Sequence, residues 1–318
     1  MQSRPSPPAR PPAAGDTQVG PGGQIPRALT IAGSDSGGGA GIQADLKVFF
    51  SLGVYGTSVL TALTAQNSLG VQGVYEVAPE FVARQMDSVL GDIGADAAKT
   101  GMLATSPIIE AVADRLRAYA VRALVVDPVM VAKSGDPLLS PEAVEAMRRH
   151  LLPLALVVTP NVPEAERLTG LRIGNLEAMR RAARELCSMG ARFVVVKGGH
   201  LELGSGLALD VVFDGSEFFE LQAPRYETPH THGTGCTFSA AIAAYLARGL
   251  QPLEAIRSAK AYITRAVQAA FPVGRGRGPT NPWAGADAAQ WRIRARTGQP
   301  QVASASPQPA GGGPAPGL

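Results

Sequence analysis

Cysteine, histidine and aromatic residues are scarce in this sequence of 318 residues. It holds two cysteines, four histidines and 5% aromatic residues. Two cysteines cannot build a disulfide framework, and such sparse use fits a reducing compartment, so we expect a cytoplasmic protein. The histidines show no metal-ligand spacing with Cys187 or Cys236, which argues against a zinc site. No apolar run is long enough to span a bilayer, so we expect no membrane partner.

The body of the chain also lacks an excess of positive charge. The formal net charge is +3. However, residues 1–27 and 271–318 together hold eight arginines and only two aspartates, which leaves residues 28–270 with a formal charge of −3. The basic character therefore belongs to the two ends, and we expect no nucleic-acid partner.

The two ends lack hydrophobic periodicity. Residues 1–27 are rich in proline and glycine, and residues 302–318 consist mainly of proline, glycine, alanine and serine. We therefore predict a disordered tail over residues 1–27, one domain over residues 28–272 and a mostly disordered tail over residues 273–318. The first tail has no apolar segment of a secretory signal, and its prolines disfavour a transit peptide.

Between the tails, short apolar runs alternate with amphipathic segments. This alternation predicts an α/β fold, in which a mostly parallel central sheet has helices on both faces. Two β-like runs on either side of Asp214-Gly215 predict a hairpin that forms a small antiparallel edge. The predicted strands are Ala28–Ala32, Tyr55–Thr61, Ala97–Thr100, Ala123–Val126, Leu156–Thr159, Phe193–Val196, Leu209–Phe213 and Glu217–Gln222. The predicted helices are Ile42–Leu52, Pro79–Asp92, Ser106–Tyr119, one after Ser140, Asn175–Met189, Phe238–Leu246 and Pro252–Ala270.

A glycine turn stands immediately before a helical run of small and apolar residues. Gly233, Thr234 and Gly235 form this turn, and Cys236 follows it. Unpaired amides and the positive end of the dipole at such a helix start favour an anion or a developing negative charge. We therefore expect the thiol of Cys236 to ionise more readily than a free thiol and to serve as a base or nucleophile. The alternative is an inert, buried cysteine beside a capping turn.

A second glycine-rich loop, residues 33–41, follows the first predicted strand. The carboxyl end of a strand is where an open α/β sheet places ligands. The loop is not a Walker loop, because the sequence contains no Gly-Lys dipeptide. A plain tight turn is the alternative. Gln66, after the next strand, carries a donor and an acceptor side by side, which suits an aminopyrimidine edge. Its alternative is a surface amide in a loop.

Polar residues follow three later strands as well. Asp127 is a candidate for binding magnesium or substrate, with helix capping as the alternative. Asn161 and Glu164 lie three residues apart at a helix start, so both can face one hydrated magnesium ion, or they form a capping pair. Lys197 follows a strongly apolar run, where lysine is rare, and is a candidate for holding nucleotide phosphate.

Six segments together resemble one family. They are residues 31–47 (IAGSDSGGGAGIQADLK), 61–67 (TALTAQN), 99–103 (KTGML), 132–139 (AKSGDPLL), 197–200 (KGGH) and 231–237 (THGTGCT). In this order they are similar to the hydroxymethylpyrimidine/phosphomethylpyrimidine kinases of thiamine biosynthesis, which belong to the ribokinase-like superfamily. The resemblance covers residues 28–270, and the tails have no counterpart in it.

The resemblance implies ATP-dependent phosphorylation of 4-amino-5-hydroxymethyl-2-methylpyrimidine to its monophosphate and then to the diphosphate, by a homodimer. It implies that Gln66 reads the pyrimidine edge and that Cys236 replaces the aspartate base of related sugar kinases. Asn161 and Glu164 match a magnesium-associated element, with the metal held through water, and Lys197 matches the lysine on the nucleotide side. Other residues implied to line the pyrimidine pocket are Gly33, Asp45, Met102 and Val129.

Two other functions are compatible with these residues. The first is a pyridoxine or pyridoxal kinase of the same superfamily, since vitamin B6 also presents a hydroxymethyl group on an aromatic nitrogen ring. The second is a regulator that binds the pyrimidine without catalysis. The sequence departs from the family after Gly274, where it reads RGRGPTNPW, and no argument from the sequence connects that segment to the chemistry.

Overall fold

The computed structural model describes residues 25–130, 139–199 and 206–285. Its strands are β1 (Arg27–Asp35), β2 (Tyr55–Asn67), β3 (Gly70–Glu76), β4 (Ala97–Thr100), β5 (Leu124–Val126), β6 (Val157–Val158), β7 (Phe193–Lys197), β8 (Leu207–Phe213) and β9 (Phe218–Pro224). Its helices are α1 (Gly41–Ser51), α2 (Pro79–Asp92), α3 (Ser106–Ala118), α4 (Pro141–Ala146), α5 (Val162–Thr169), α6 (Leu176–Ser188), α7 (Thr234–Ala247), α8 (Pro252–Gln268) and α9 (Pro282–Gly285). None of the helices in these three ranges is both long and apolar enough to cross a membrane.

The strands of the described residues form one sheet in the order β3-β2-β1-β4-β5-β6-β7-β8-β9. The strands from β2 to β7 in this order run parallel. At one edge β8 and β9 are antiparallel, and their hairpin turns at Asp214-Gly215 as predicted. The chain order reverses at β1, which pairs with β2 on one side and β4 on the other. Such a reversal opens a crevice at the carboxyl ends of the strands.

The opposite edge differs from the prediction. β2 does not end at Thr61 but continues through Asn67, and β3 returns antiparallel to it. β3 begins at Gly70 and contains Gly73, and five of its seven residues are exposed, so the strand shows no alternation of buried and exposed residues. Without a hydrophobic alternation, this segment was not predicted as a strand.

Two hydrophobic cores lie on the two faces of the sheet. Successive strand residues point to opposite faces, so Leu124 and Val126 join one core and Val125 joins the other. Helices α2 to α6 cover the first face, and α1, α7 and α8 cover the second. The predicted layering with helices on both faces is confirmed.

Residues 273–285, which follow the domain boundary predicted at residue 272, contact the rest of the described chain. The N–H of Arg277 donates to the carbonyl of Ser68 at 3.0 Å, and the N–H of Asn281 donates to the carbonyl of Ala266 at 2.9 Å. The hydroxyl of Tyr262 donates to the carbonyl of Pro282 at 2.8 Å. Residues 273–285 therefore pack on the domain. The predictions for residues 1–24, for the loop from Lys133 to Asp136, for His200 and for residues 286–318 lie outside the described residues.

Candidate active site

A cavity of about 830 Å³ lies at the carboxyl ends of the parallel strands. This size falls within the range of about 300–1,000 Å³ that is typical of ligand pockets. Twelve of the thirteen predicted site residues line it: Gly33, Gln66, Met102, Asp127, Val129, Asn161, Glu164, Lys197, Gly233, Thr234, Gly235 and Cys236. The exception is Asp45, which was expected on the pocket wall but is fully buried away from it.

The turn before α7 is held by its own geometry. Gly233 is the N-cap of α7 with φ of 74°, and a Cβ there would overlap the carbonyl oxygen of Gly39. Only glycine fits, because L side chains rarely adopt this conformation and no space is left for one. The hydroxyl of Thr234 donates to the carbonyl of Thr231 at 2.7 Å. Thr234, Gly235 and Cys236 of this first turn line the cavity, and the amides of a first helical turn have no partner within the helix.

The thiol of Cys236 is half-buried at this helix start and lies close to the N–H of Gly41, the first residue of α1. Burial raises the pKa of Cys236 to about 11, although the Lys99 ammonium and the Gly41 N–H act to lower it. The prediction that this thiol ionises more readily than a free thiol is therefore wrong for this structure. Removing the thiolate from water destabilises it by more than the positive helix ends stabilise it.

A buried ion pair adjoins the cavity, with Lys99 in the cavity lining and Asp45 behind it. Lys99 Nζ stands 2.8 Å from Asp45 Oδ2, and neither side chain is exposed to solvent. The hydroxyl of Thr30 donates to the same carboxylate oxygen at 2.6 Å. Burial would lower the pKa of Lys99, but Asp45, Cys236 and Asp127 raise it above its usual range. Asp45 thus fixes a permanent positive charge close to the cysteine.

The nucleotide-side candidates form a second charged cluster. Lys197 Nζ lies 3.1 Å from Asp127 Oδ1 and 4.0 Å from Glu164 Oε2. The hydroxyls of Thr159 and Ser239 donate to the two oxygens of Asp127 at 3.2 and 3.1 Å. Burial would raise the pKa of Asp127, but Lys197 and Lys99 hold it below its usual range. The cluster joins the ends of β5 and β7 to the starts of α5 and α7.

The capping interpretation of Asn161 and Glu164 is confirmed. The side-chain oxygen of Asn161 accepts the N–H of Glu164 at 2.9 Å, and Glu164 Oε2 accepts the N–H of Asn161 at 2.7 Å. This is a capping box. Burial raises the pKa of Glu164 to about 7, even though Lys197 acts to lower it. The pair nevertheless lines the cavity, so capping and cation binding are not exclusive for Glu164.

Gln66 lies at the other end of the cavity. It belongs to β2 and is half-buried, so the alternative of a surface amide in a loop is wrong. Its side chain lies 3.4 Å from His232 Nε2, which in turn lies 3.0 Å from Asp35 Oδ2. Met102 Sδ packs against Gly33 across the pocket, and a Cβ at residue 33 would stand 3.3 Å from the sulfur.

Known proteins resemble this chain along its whole described domain. The family model for phosphomethylpyrimidine kinase matches residues 35–281. A hydroxymethylpyrimidine/phosphomethylpyrimidine kinase of Streptomyces coelicolor is 52% identical over 256 residues, which cover 80% of this chain and 94% of that one. The chain belongs to the phosphomethylpyrimidine kinase family.

Two further relatives are named for additional or different functions. A bifunctional thiamine biosynthesis protein of Geobacter sulfurreducens is 56% identical over 253 residues, which cover 80% of this chain but only 51% of that protein. An ADP complex of Bacillus subtilis pyridoxal kinase has a TM-score of 0.77 with 43% identity, covering 82% of this chain and 98% of that one. The predicted ribokinase-like fold and a phosphotransferase activity in thiamine biosynthesis are confirmed.

Sequence reasoning missed several residues of the kinase site. Lys99, Asp35 and His232 line the cavity, yet no role was derived for them. Lys99 could have been predicted as a site residue, because it also lies in a short apolar strand. The same feature made Lys197 a candidate. The segment after Gly274 was not connected to the chemistry, but Arg277 lines the cavity. The other contacts of this segment depend on chain reversal after α8, which the sequence does not reveal.

Within the described residues, no group of three or more His, Cys, Asp or Glu side chains is arranged to enclose a metal ion. Magnesium usually keeps several waters and uses only one or two carboxylates. Glu164 and Asp127 supply those, and the raised pKa of Glu164 shows that its buried charge is incompletely compensated. The kinase site therefore fits a water-mediated magnesium ion but not a protein-enclosed one.

Proposed function

We propose that this kinase transfers phosphate from ATP to the hydroxymethyl group of 4-amino-5-hydroxymethyl-2-methylpyrimidine and then phosphorylates the resulting monophosphate. The observation that carries the proposal is that three groups of predicted site residues line one cavity. They are Gln66 with its neighbours, the amide turn with Cys236, and the cluster around Lys197. Phosphoryl transfer depends mainly on positioning and charge stabilisation, which this arrangement supplies.

The pyrimidine binds at the Gln66 end. The amide of Gln66 pairs with a ring nitrogen and the neighbouring exocyclic amine, because it offers one donor and one acceptor side by side. Gly33, Met102 and Val129 provide apolar contacts to the ring. Asp45 acts from beneath by holding Lys99 in place.

The amides of the α7 start cradle the phosphoryl group during transfer. They lie in a helix dipole, and a Cβ at Gly235 would stand 3.4 Å from Lys197 Nζ and 3.5 Å from Asp127 Oδ2. Lys197 neutralises phosphate oxygens of the nucleotide. Glu164 and Asp127 would hold magnesium through water, and magnesium supplies further charge neutralisation on the phosphates.

Cys236 accepts the hydroxymethyl proton as its thiolate. A thiol with pKa of about 11 is almost entirely protonated at neutral pH. The small thiolate fraction is a correspondingly strong base, and Lys99 and the Gly41 N–H stabilise it. In the second reaction the nucleophile is a phosphate that already carries charge, so it depends less on the thiol.

An ATP-consumption assay with three substrates tests the function. The full chain is incubated with the hydroxymethylpyrimidine, its monophosphate or pyridoxal, and the products are weighed by mass spectrometry. We expect one and then two added phosphates on the pyrimidine, and slower turnover of pyridoxal. Faster phosphorylation of pyridoxal would favour the vitamin B6 function, for which the similarity to the pyridoxal kinase is the supporting observation. Tight pyrimidine binding without ATP consumption would favour a regulator.

The remaining expectations concern partners and location. Leu69, Val74 and Tyr75 of the β2–β3 hairpin are exposed, and this apolar surface supports the homodimer implied by the resemblance. Sedimentation of the full chain tests it, and a monomer at micromolar concentration would contradict it. A cytoplasmic location and the lack of nucleic-acid or membrane partners stay predictions.

A further inference from the structure

His232 joins the two ends of the cavity. Its ring contacts Asp35 of the glycine-rich loop and Gln66 of β2, and it immediately precedes Gly233 of the amide turn. Its backbone is fixed as well, because its N–H donates to the carbonyl of Gly278 at 3.1 Å and its carbonyl accepts from Thr280 at 3.2 Å. The ring is therefore held from both sides in one position.

The partner of His232 is a carboxylate that only accepts hydrogen bonds. Asp35 is 3% exposed. It accepts the N–H groups of Gly37 at 2.8 Å, Gly39 at 3.0 Å and Ala40 at 2.8 Å. Burial would raise the pKa of Asp35, but the bonds from His232, Ala40 and Gly37 hold it below its usual range. An ionised carboxylate requires a proton on the facing nitrogen, so His232 carries a hydrogen on Nε2.

That tautomer constrains the amide of Gln66. The structure sets Gln66 Nε2 3.4 Å from His232 Nε2 and Gln66 Oε1 3.2 Å from Thr64 Oγ1. Because His232 Nε2 carries the hydrogen directed to Asp35, it has no lone pair for an N–H of Gln66, so the opposite amide orientation, with Oε1 towards His232, fits this contact better. Thr64 gives the same result, since its single hydroxyl proton bonds to the carbonyl of Ser34 at 2.8 Å. Its oxygen, 3.2 Å from the other atom of the Gln66 amide, is then free to accept. Turning the Gln66 oxygen to His232 and its NH₂ to Thr64 satisfies both contacts, with the single Nε2–H of His232 shared between Asp35 at 3.0 Å and Gln66 at 3.4 Å.

We propose that His232, held by Asp35, is a positioning residue that fixes the orientation of the Gln66 amide and thereby the donor and acceptor pattern presented to the pyrimidine. The proposal rests on the proposed role of Gln66 in reading the substrate. His232 does not touch the reacting atoms. Without its N–H, the amide is free to rotate by 180° and to present the reversed pattern, which an aminopyrimidine edge does not match.

A double-mutant cycle tests this coupling in the full chain. The variants are His232→Phe, Gln66→Ala and the double variant, with His150→Gln as the control histidine outside the cavity. We expect His232→Phe to raise the KM for the pyrimidine about tenfold or more, in line with about 1–3 kcal/mol for a mispaired polar group, and to leave the KM for ATP within about twofold. In the Gln66→Ala background, His232→Phe should change the pyrimidine KM by less than about twofold.

Independent effects of the two substitutions, or an equal rise in both KM values, would overturn the inference and leave the proposed function intact. A normal pyrimidine KM in Gln66→Ala would overturn the reading role of Gln66 and this inference with it. Should His232→Phe fail to fold, His232→Gln and His232→Asn replace it. The glutamine places an N–H near the position of Nε2, whereas the asparagine does not reach it. We therefore expect only the glutamine to restore the pyrimidine KM, and equal behaviour of the two would overturn the inference.

Discussion

The backbone N–H of Gly41 lies close enough to the thiol of Cys236 to act on its pKa. The start of α1 therefore lies next to the start of α7, so two helix ends converge on one sulfur. The positive ends of both helices then favour negative charge at the place where the substrate proton leaves. Burial still dominates the pKa of the free thiol. The thiolate that accepts the substrate proton is therefore a minor form of the free enzyme, and Lys99 and the Gly41 N–H stabilise it.

The buried carboxyl of Glu164 predicts a pH-dependent requirement for magnesium. Its pKa is raised to about 7, so the group is charged above this pH and neutral below it. The half-saturating concentration of free Mg²⁺ should therefore rise as pH falls through 7. Glu164→Gln keeps an oxygen for the capping bond to Asn161 but removes the charge. We expect it to need about tenfold more Mg²⁺ at pH 8, a typical effect of losing a group near a metal, and to show little change with pH.

The measurement is initial rate against free Mg²⁺ from pH 6 to pH 8.5. Comparing both proteins at each pH removes the titration of ATP itself from the result. Glu185→Gln, an exposed change on α6, is the control. Parallel pH curves for the native protein and Glu164→Gln would mean that Glu164 does not act on the cation.

The packing of the C-terminal segment on the β2–β3 turn predicts the effect of Gly276→Ala. A Cβ at residue 276 would overlap the carbonyl oxygen of Ser68, and the N–H of Gly276 bonds to the hydroxyl of Ser68 at 3.1 Å. Displacing the segment should cost about 1–3 kcal/mol of unfolding free energy and raise the KM for the pyrimidine, because Gln66 lies two residues before Ser68. Gly174→Ala is the control, since a Cβ there meets no atom within 4 Å. Equal thermal stability of the two variants would contradict the prediction.

A buried pair of hydroxyls ties the same segment to α7. Thr237 Oγ1 and Thr280 Oγ1 lie 3.0 Å apart, and both residues are buried. Thr280→Val leaves one hydroxyl unpaired and should lower the unfolding free energy by about 1–3 kcal/mol. Adding Thr237→Val removes the second hydroxyl and should recover part of that loss. Urea unfolding of the two single variants and the double variant measures the coupling, and additive losses would argue against the bond.

Sequence patterns predicted most of this fold because its central strands are short, apolar and separated by amphipathic helices. Helix Pro79–Asp92 and strand Ala97–Thr100 match their predicted bounds. β3 was missed because it is exposed and contains two glycines. Two further differences from the predictions result from burial, which the sequence does not reveal. Burial raises the pKa of Cys236 although the helix dipoles act to lower it, and Asp45 lies behind the cavity wall instead of on it.

The site residues were predicted mainly from a resemblance, because each one alone has a common structural explanation. Asn161 and Glu164 show this well, since they form a capping box and also line the cavity. Contacts between segments that are far apart in the sequence could not be predicted. His232 meets Asp35 across 197 positions of sequence, and no local pattern predicts such a pair.

The central claim is that Cys236 accepts a proton in the first reaction and is less important in the second. The most direct measurement is kcat for both reactions in Cys236→Ala, at saturating pyrimidine or monophosphate and saturating ATP, with Cys187→Ala as the control. We predict a loss of about 10²- to 10⁴-fold with the hydroxymethylpyrimidine, the usual contribution of a general base, and a clearly smaller loss with its monophosphate. Equal losses in both reactions would show that the thiol positions substrate instead, and unchanged turnover with the hydroxymethylpyrimidine would contradict its role as the base.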